Sequence, residues 1–114
     1  MGGGIDLLTA LAEEGDRRAL QLVAGFLRRS QRRGDAALLW ENAWTRHRDL
    51  SAAVELAKHY EHFRKDPNRA LEIVNEAEKV ARLAGLRDSR LFDSLTHRRE
   101  RLLRKVRARS HSPS

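Results

Sequence analysis

The chain has 114 residues and 40% hydrophobic content, but only three Phe, two Trp and one Tyr, so its length suits one domain with a core of Leu, Ala and Val. That core fits layered helices better than a sheet. The absence of Cys excludes a disulfide framework and a thiolate metal site, no apolar run reaches the length of a membrane span, and the formal charge of +7 favours acidic partners.

Taken in order, Met1–Gly4 reads as a flexible leader, and Ile5–Glu14 (IDLLTALAEE) as a short amphipathic helix stopped by Gly15. The spacing predicts a long helix over Arg17–Arg33, with Leu20, Val23, Phe26 and Leu27 as its buried stripe. Gly34-Asp35 is then expected to supply a turn and a cap. Ala36–His47 follows as a helix with Leu39, Trp40 and Ala43 inward and Trp44 partly at the surface. The pattern breaks at Arg48–Ser51, where Asp49 or Ser51 is the expected cap.

The stretch Ser51–Ala81 predicts two antiparallel helices. The first carries Ala53, Leu56, Ala57 and Tyr60 at helical spacing, and the second Ala70, Ile73, Val74 and Ala77. Between them Asp66 can cap free amides, and Pro67 suits a first helical position, where its missing N–H costs nothing. This pair ends near Gly85. Ser89–Arg109 predicts a last, capping helix with Leu91, Leu95, Leu102, Leu103 and Val106 on one side, before a disordered Ser110–Ser114.

Shifting the central stretch back by 34 residues places Ala70 on Ala36, Ala77 on Ala43, Ala53 on Ala19 and Leu56 on Leu22. It also places Tyr60 on Phe26, Val54 on Leu20, Ile73 on Leu39 and Val74 on Trp40, with no gap. On Leu56-Ala57, Tyr60, Ala70, Val74 and Ala77 the segment resembles the tetratricopeptide repeat, a helix–turn–helix unit of that period. It departs from that pattern in an inter-helix turn one residue longer and in Val23 where a small residue is usual. The expected fold is therefore all-α: a short stack of about five antiparallel helices in one domain over 1–109, with repeats at about 17–47 and 51–81 and a cap at about 89–109.

A second resemblance lies in the run Glu55 to His62, followed by Lys65-Asp66 and Ala70-Leu71-Glu72. It is similar to the repeat region at the C-terminal end of bacterial ribonuclease-H-like exonuclease proteins. The resemblance implies an accessory module. The nuclease activity does not carry over, because such a domain needs a strand-rich core bearing acidic metal ligands, for which this chain has neither the length nor the strands.

Candidate chemistry is sparse. Glu55, His59 and His62 fall within two turns of one helix, but the two His are three apart rather than four and no further ligand stands near. They read as polar residues beside Tyr60. With no glycine-rich phosphate loop, no Cys nucleophile and no plausible Ser/His/Asp group, neither an enzyme nor a cofactor is expected.

First helices of tetratricopeptide repeats usually line a concave groove. In this register the groove residues are Arg17, Leu20, Ala24, Leu27 and Arg28 from one repeat, and Val54, Lys58, Glu61 and His62 from the other. Some members of that family clamp a peptide carboxylate with Lys and Asn. Here Leu20 and Val54 stand at the Lys position, and Ala24 and Lys58 at the Asn position, so the clamp is absent. The groove that remains suits an acidic or amphipathic helix of a protein partner. The alternative partner is nucleic acid, through a basic patch of Arg98, Arg101, Arg104, Lys105, Arg107 and Arg109. The same residues also read as the solvated face of a capping helix, with no aromatic interleaving for base stacking. Self-association is a third outcome for so short a stack. The expected compartment is the cytoplasm, since there is neither a Cys framework nor a secretion signal.

Overall fold

In a computed structural model that describes residues 3–110, the chain is all-α. Six helices follow one another: α1 (Gly3–Glu13), α2 (Arg17–Arg29), α3 (Arg33–His47), α4 (Leu50–His62), α5 (Pro67–Leu83) and α6 (Arg90–Ser110). This is one more than the five expected, and no strand occurs among the described residues. Of the expected leader, Met1 and Gly2 lie outside the described residues, while Gly3 and Gly4 begin α1. Of the expected tail, 111–114 lie outside them and Ser110 ends α6. The chain divides into two units, Met1–Ala52 and Ala53–Ser114, with the boundary inside α4.

In the first unit, α2 packs against both α1 and α3. The α1 helix closes at Gly15, whose φ of +103° disfavours any side chain, and whose missing Cβ would stand 3.0 Å from the His47 ring. His47 Nε2 lies 2.8 Å from the Glu13 carbonyl, and Asn42 Nδ2 donates to the same oxygen at 3.2 Å. Two side chains of α3 thus serve an end-of-helix carbonyl on α1 that has no partner within its own helix. Asp16 then caps α2 by accepting from the Ala19 amide at 2.9 Å.

The boundary between α2 and α3 differs from the sequence expectation. The α2 helix ends at Arg29, and Gly34-Asp35 lies inside the first turn of α3. The closure is made by Gln31, whose φ is 58°. The Arg32 amide donates to Leu27 O at 2.7 Å and the Gln31 amide to Arg28 O at 3.1 Å. That pair of bonds is the left-handed helix stop usually built on glycine. The same pair closes α1 at Gly15 (Asp16 N to Leu11 O, Gly15 N to Ala12 O) and α5 at Gly85 (Leu86 N to Ala81 O, Gly85 N to Arg82 O). Asp35 holds Arg32 at 2.7 Å and does not cap the helix.

Two aromatic placements are also corrected. Phe26 is 40% exposed, because α2 buries Ala19, Leu20, Val23, Ala24 and Leu27, a stripe that leaves position 26 outside. Trp44, expected partly at the surface, is 3% exposed. It continues the α3 stripe of Ala36, Leu39, Trp40 and Ala43, and the Arg48 guanidinium lies 4.7 Å from its ring centre. Of the two expected caps of α4, Asp49 takes the role: its carboxylate accepts from the Ala52 amide at 3.2 Å and faces Arg17 at 3.6 Å.

In the second unit, Asp66 accepts from the Arg69 amide at 3.0 Å and Pro67 opens α5, as expected. The inner face of α5 is Ala70, Ile73, Val74, Ala77 and Ala81, packed on α6. Ser89 starts α6, with its hydroxyl accepting from the Phe92 amide at 3.1 Å. Leu95 and Leu102 are fully buried, whereas Leu91, Leu103 and Val106 are only half-buried.

Burial corrects the ungapped repeat register. The offset of 34 holds for α3 and α5: Ala36 matches Ala70, Leu39 Ile73, Trp40 Val74 and Ala43 Ala77, all buried. In α2 and α4 it fails, since Leu22 is 54% exposed where Leu56 is 1%. An offset of 33 matches the buried residues there instead: Ala19 with Ala52, Leu20 with Ala53, Val23 with Leu56, Ala24 with Ala57. It also matches the capping carboxylates Asp16 and Asp49. The missing residue lies in the turns, residues 30–32 after α2 against 63–66 after α4.

Candidate functional site

The one-residue shift changes which side chains reach the surface. Of the groove residues expected from the first unit, Leu20, Ala24 and Leu27 belong to the buried stripe of α2, and only Arg17 and Arg28 are exposed. The exposed face of α2 is instead Arg18, Gln21, Leu22, Phe26 and Arg29. Leu22 and Phe26, one turn apart, form an apolar pair with an arginine beyond each end. A register read from burial periodicity rather than from residue identity would have found this face.

In the second unit Val54 and Lys58 are half-buried, and Lys58 pairs with Glu55 at 3.3 Å. His62 is exposed. Glu61 is no groove residue: its carboxylate has no exposed surface and is the centre of an ion cluster. It lies in the last turn of α4, where α6 presents Arg98, Arg101 and Lys105 from one face, three and four residues apart. Arg98 Nη1 donates to Oε1 at 3.0 Å, Arg101 Nη2 to Oε1 at 2.8 Å, Arg101 Nε to Oε2 at 3.1 Å, and Lys105 Nζ to Oε2 at 2.6 Å. One turn on, Arg109 Nη1 donates to the Lys65 carbonyl at 3.1 Å.

The electrostatics follow from this geometry. Burial alone would raise the Glu61 carboxyl, but the hydrogen bonds and charges of Arg101 and Lys105 bring it from 4.5 down to about 2. Burial lowers Arg98, and the charge of Arg101 adds to that, against the pull of Glu61. Arg101 is raised, chiefly by its bond to Glu61. A second buried carboxylate, Glu78 of α5, meets Arg99 Nε and lies 3.4 Å from the Thr96 hydroxyl. A carboxylate held ionised down to about pH 2 is a poor proton acceptor at neutral pH. The cluster therefore clamps α6 to α4.

The expected basic patch is corrected in the same way. Arg98, Arg101 and Lys105 serve Glu61, Arg109 serves a backbone carbonyl, and Arg104 and Arg107 are exposed on the other side of α6. The Glu55, His59 and His62 trio is spread over separate contacts. Glu55 pairs with Lys58, the His59 ring stacks on Phe63 with centroids 6.0 Å apart, and His62 Nε2 lies 3.5 Å from Glu61 Oε1. Among the described residues no group of three His, Cys, Asp or Glu is placed to hold a metal ion. No helix among them is long and apolar enough to cross a membrane. Compared with protein-family models, with curated proteins and with solved structures, the chain finds no match.

Proposed function

We propose that this chain is a non-catalytic protein–protein interaction module of tetratricopeptide type, acting in the cytoplasm as an accessory to other machinery. The supporting observation is the matched burial of α2–α3 and α4–α5: capping Asp16 matches Asp49, and buried Ala24, Ala36 and Ala43 match buried Ala57, Ala70 and Ala77. Small residues at these points let helix backbones approach, which is how such repeats are built. The face of α2 supplies the recognition element. Leu22 and Phe26 offer apolar anchors, and Arg18 and Arg29 offer charge, a combination suited to an acidic amphipathic helix. The cations of α6 that would favour nucleic acid are engaged with Glu61 and Glu78, which weighs against that alternative.

The test is affinity capture with the full chain and with a Leu22→Ala, Phe26→Ala variant, each with and without nuclease treatment. Proteins retained after nuclease and lost with the variant are expected. Submicromolar oligonucleotide binding at physiological salt, with capture abolished by nuclease, would refute the reading.

A further inference from the structure

A cavity of about 440 Å³ lies in the second unit, against the α4–α5 turn and the last turns of α6. Pro67 and Ala108 are the apolar part of its lining, and Glu61, His62, Lys65, Lys105 and Arg109 complete it. The charges do not balance. Glu61 is the one carboxylate of the lining, and Lys105 already meets it at 2.6 Å, together with Arg98 and Arg101, which do not line the cavity. Lys65 and Arg109 therefore find no counter-charge within the cavity. The neighbouring carboxylate, Asp66, is turned to the Arg69 amide at 3.0 Å.

Two of these cations are also held in place. Lys105 is fixed by Glu61 and Arg109 by its 3.1 Å bond to the Lys65 carbonyl, while Lys65 itself sits in a left-handed turn with φ 53° that sets its backbone. A cation already ordered loses little freedom on taking up a ligand.

We infer that this cavity binds a phosphoryl group. Two uncompensated cations, Lys65 and the ordered Arg109, match a dianion better than a single carboxylate, and the Arg109 guanidinium fork suits two phosphoryl oxygens. The apolar lining at Pro67 and Ala108 suits the carbon stem of a phosphorylated Ser or Thr. The cation stripe does not run on as a track for a strand, because Arg98 and Arg101 are spent on Glu61. The inference concerns α4 to α6 alone and does not rest on the repeat reading.

The experiment titrates inorganic phosphate, at constant ionic strength, into the isotope-labelled full chain and follows its amide resonances. Saturable shifts confined to His62, Lys65 and the end of α6 are expected. Lys65→Gln with Arg109→Gln should weaken binding about tenfold or more, and Arg109→Gln alone should weaken it in part. Arg104→Gln with Arg107→Gln, on the exposed side of α6, should leave it unchanged. A phosphoserine peptide that binds more tightly than phosphate, while its serine form does not, assigns a phosphorylated protein as the source; a peptide no tighter than phosphate assigns the free ion. Non-saturating shifts, equal loss in both double variants, or oligonucleotide binding that grows with strand length would each overturn the inference.

Discussion

The test with most reach is Glu61→Gln. The substitution keeps the shape of the side chain and one acceptor oxygen, but it leaves Arg98, Arg101 and Lys105 facing no charge. A carboxyl that titrates at about 2 when folded and at 4.5 when unfolded contributes about 3 kcal/mol at neutral pH. Glu61 has no exposed surface, so water does not screen that figure away. Arg101 and Lys105, at 41% and 45% side-chain exposure, can turn outward in the variant, but Arg98 at 13% cannot do so without moving α6. A loss of about 3 kcal/mol is therefore expected at pH 7. The sign of the pH dependence follows. The folded pKa is depressed, so the stabilisation is complete above about pH 4.5 and is lost as pH falls through about 2. Urea denaturation of parent and variant, followed by helical circular dichroism from pH 7 down to about 2.5, reads both effects. A gap under about 1 kcal/mol at pH 7, or one that does not narrow below about pH 4.5, would refute the clamp.

Other consequences follow from the packing. Ala43 and Ala77 are 2% and 0% exposed, so Ala43→Leu and Ala77→Leu should each cost about 1–3 kcal/mol by overpacking, read from urea midpoints. Iodide should quench the single-Trp variants retaining Trp40 or Trp44 about equally little, because both rings are buried. Gly15→Ala should lower the thermal midpoint by several degrees, as its φ of +103° and the His47 ring 3.0 Å away both oppose a Cβ.

The helical class, the last helix and most helix limits were legible because they rest on local signals. Apolar spacing, Asp66 as a cap, Pro67, Gly15 and Gly85 each act within a few residues. What escaped was set elsewhere. The end of α2 was hidden because Gln31 takes the left-handed position that Gly15 and Gly85 fill after α1 and α5, while Gly34 lies inside α3. Residue identity favoured an ungapped register, since Leu22 and Phe26 resemble Leu56 and Tyr60, but burial follows the helix face rather than the residue type. The Glu61 cluster joins residues 37 to 44 positions apart. No local pattern marks a carboxylate as the partner of a distant stripe, and the basic patch of Arg98, Arg101, Arg104, Lys105, Arg107 and Arg109 did not separate the inner row from the outer one.

That stripe also changes what the basic charge of the chain means. The α6 helix carries eight Lys and Arg against two Asp and Glu, a composition that by itself suggests a polyanion track. Its inner row instead faces the last turn of α4, where a buried carboxylate and the negative end of a helix gather. Arg98, Arg101 and Lys105 are spent there, and Arg99 on Glu78. Among the described residues, Lys65 and, on the last turns of α6, Arg104, Arg107 and Arg109 are four cations bound to no carboxylate. At about 0.9 per neutralised phosphate, four contacts predict roughly a 150-fold loss of duplex affinity between 50 and 200 mM salt; eight would predict roughly 20,000-fold. A salt titration on labelled duplex separates these cases. The steep slope would mean that the Glu61 clamp opens to release its cations, and the shallow one that the charge of α6 is mainly internal electrostatics.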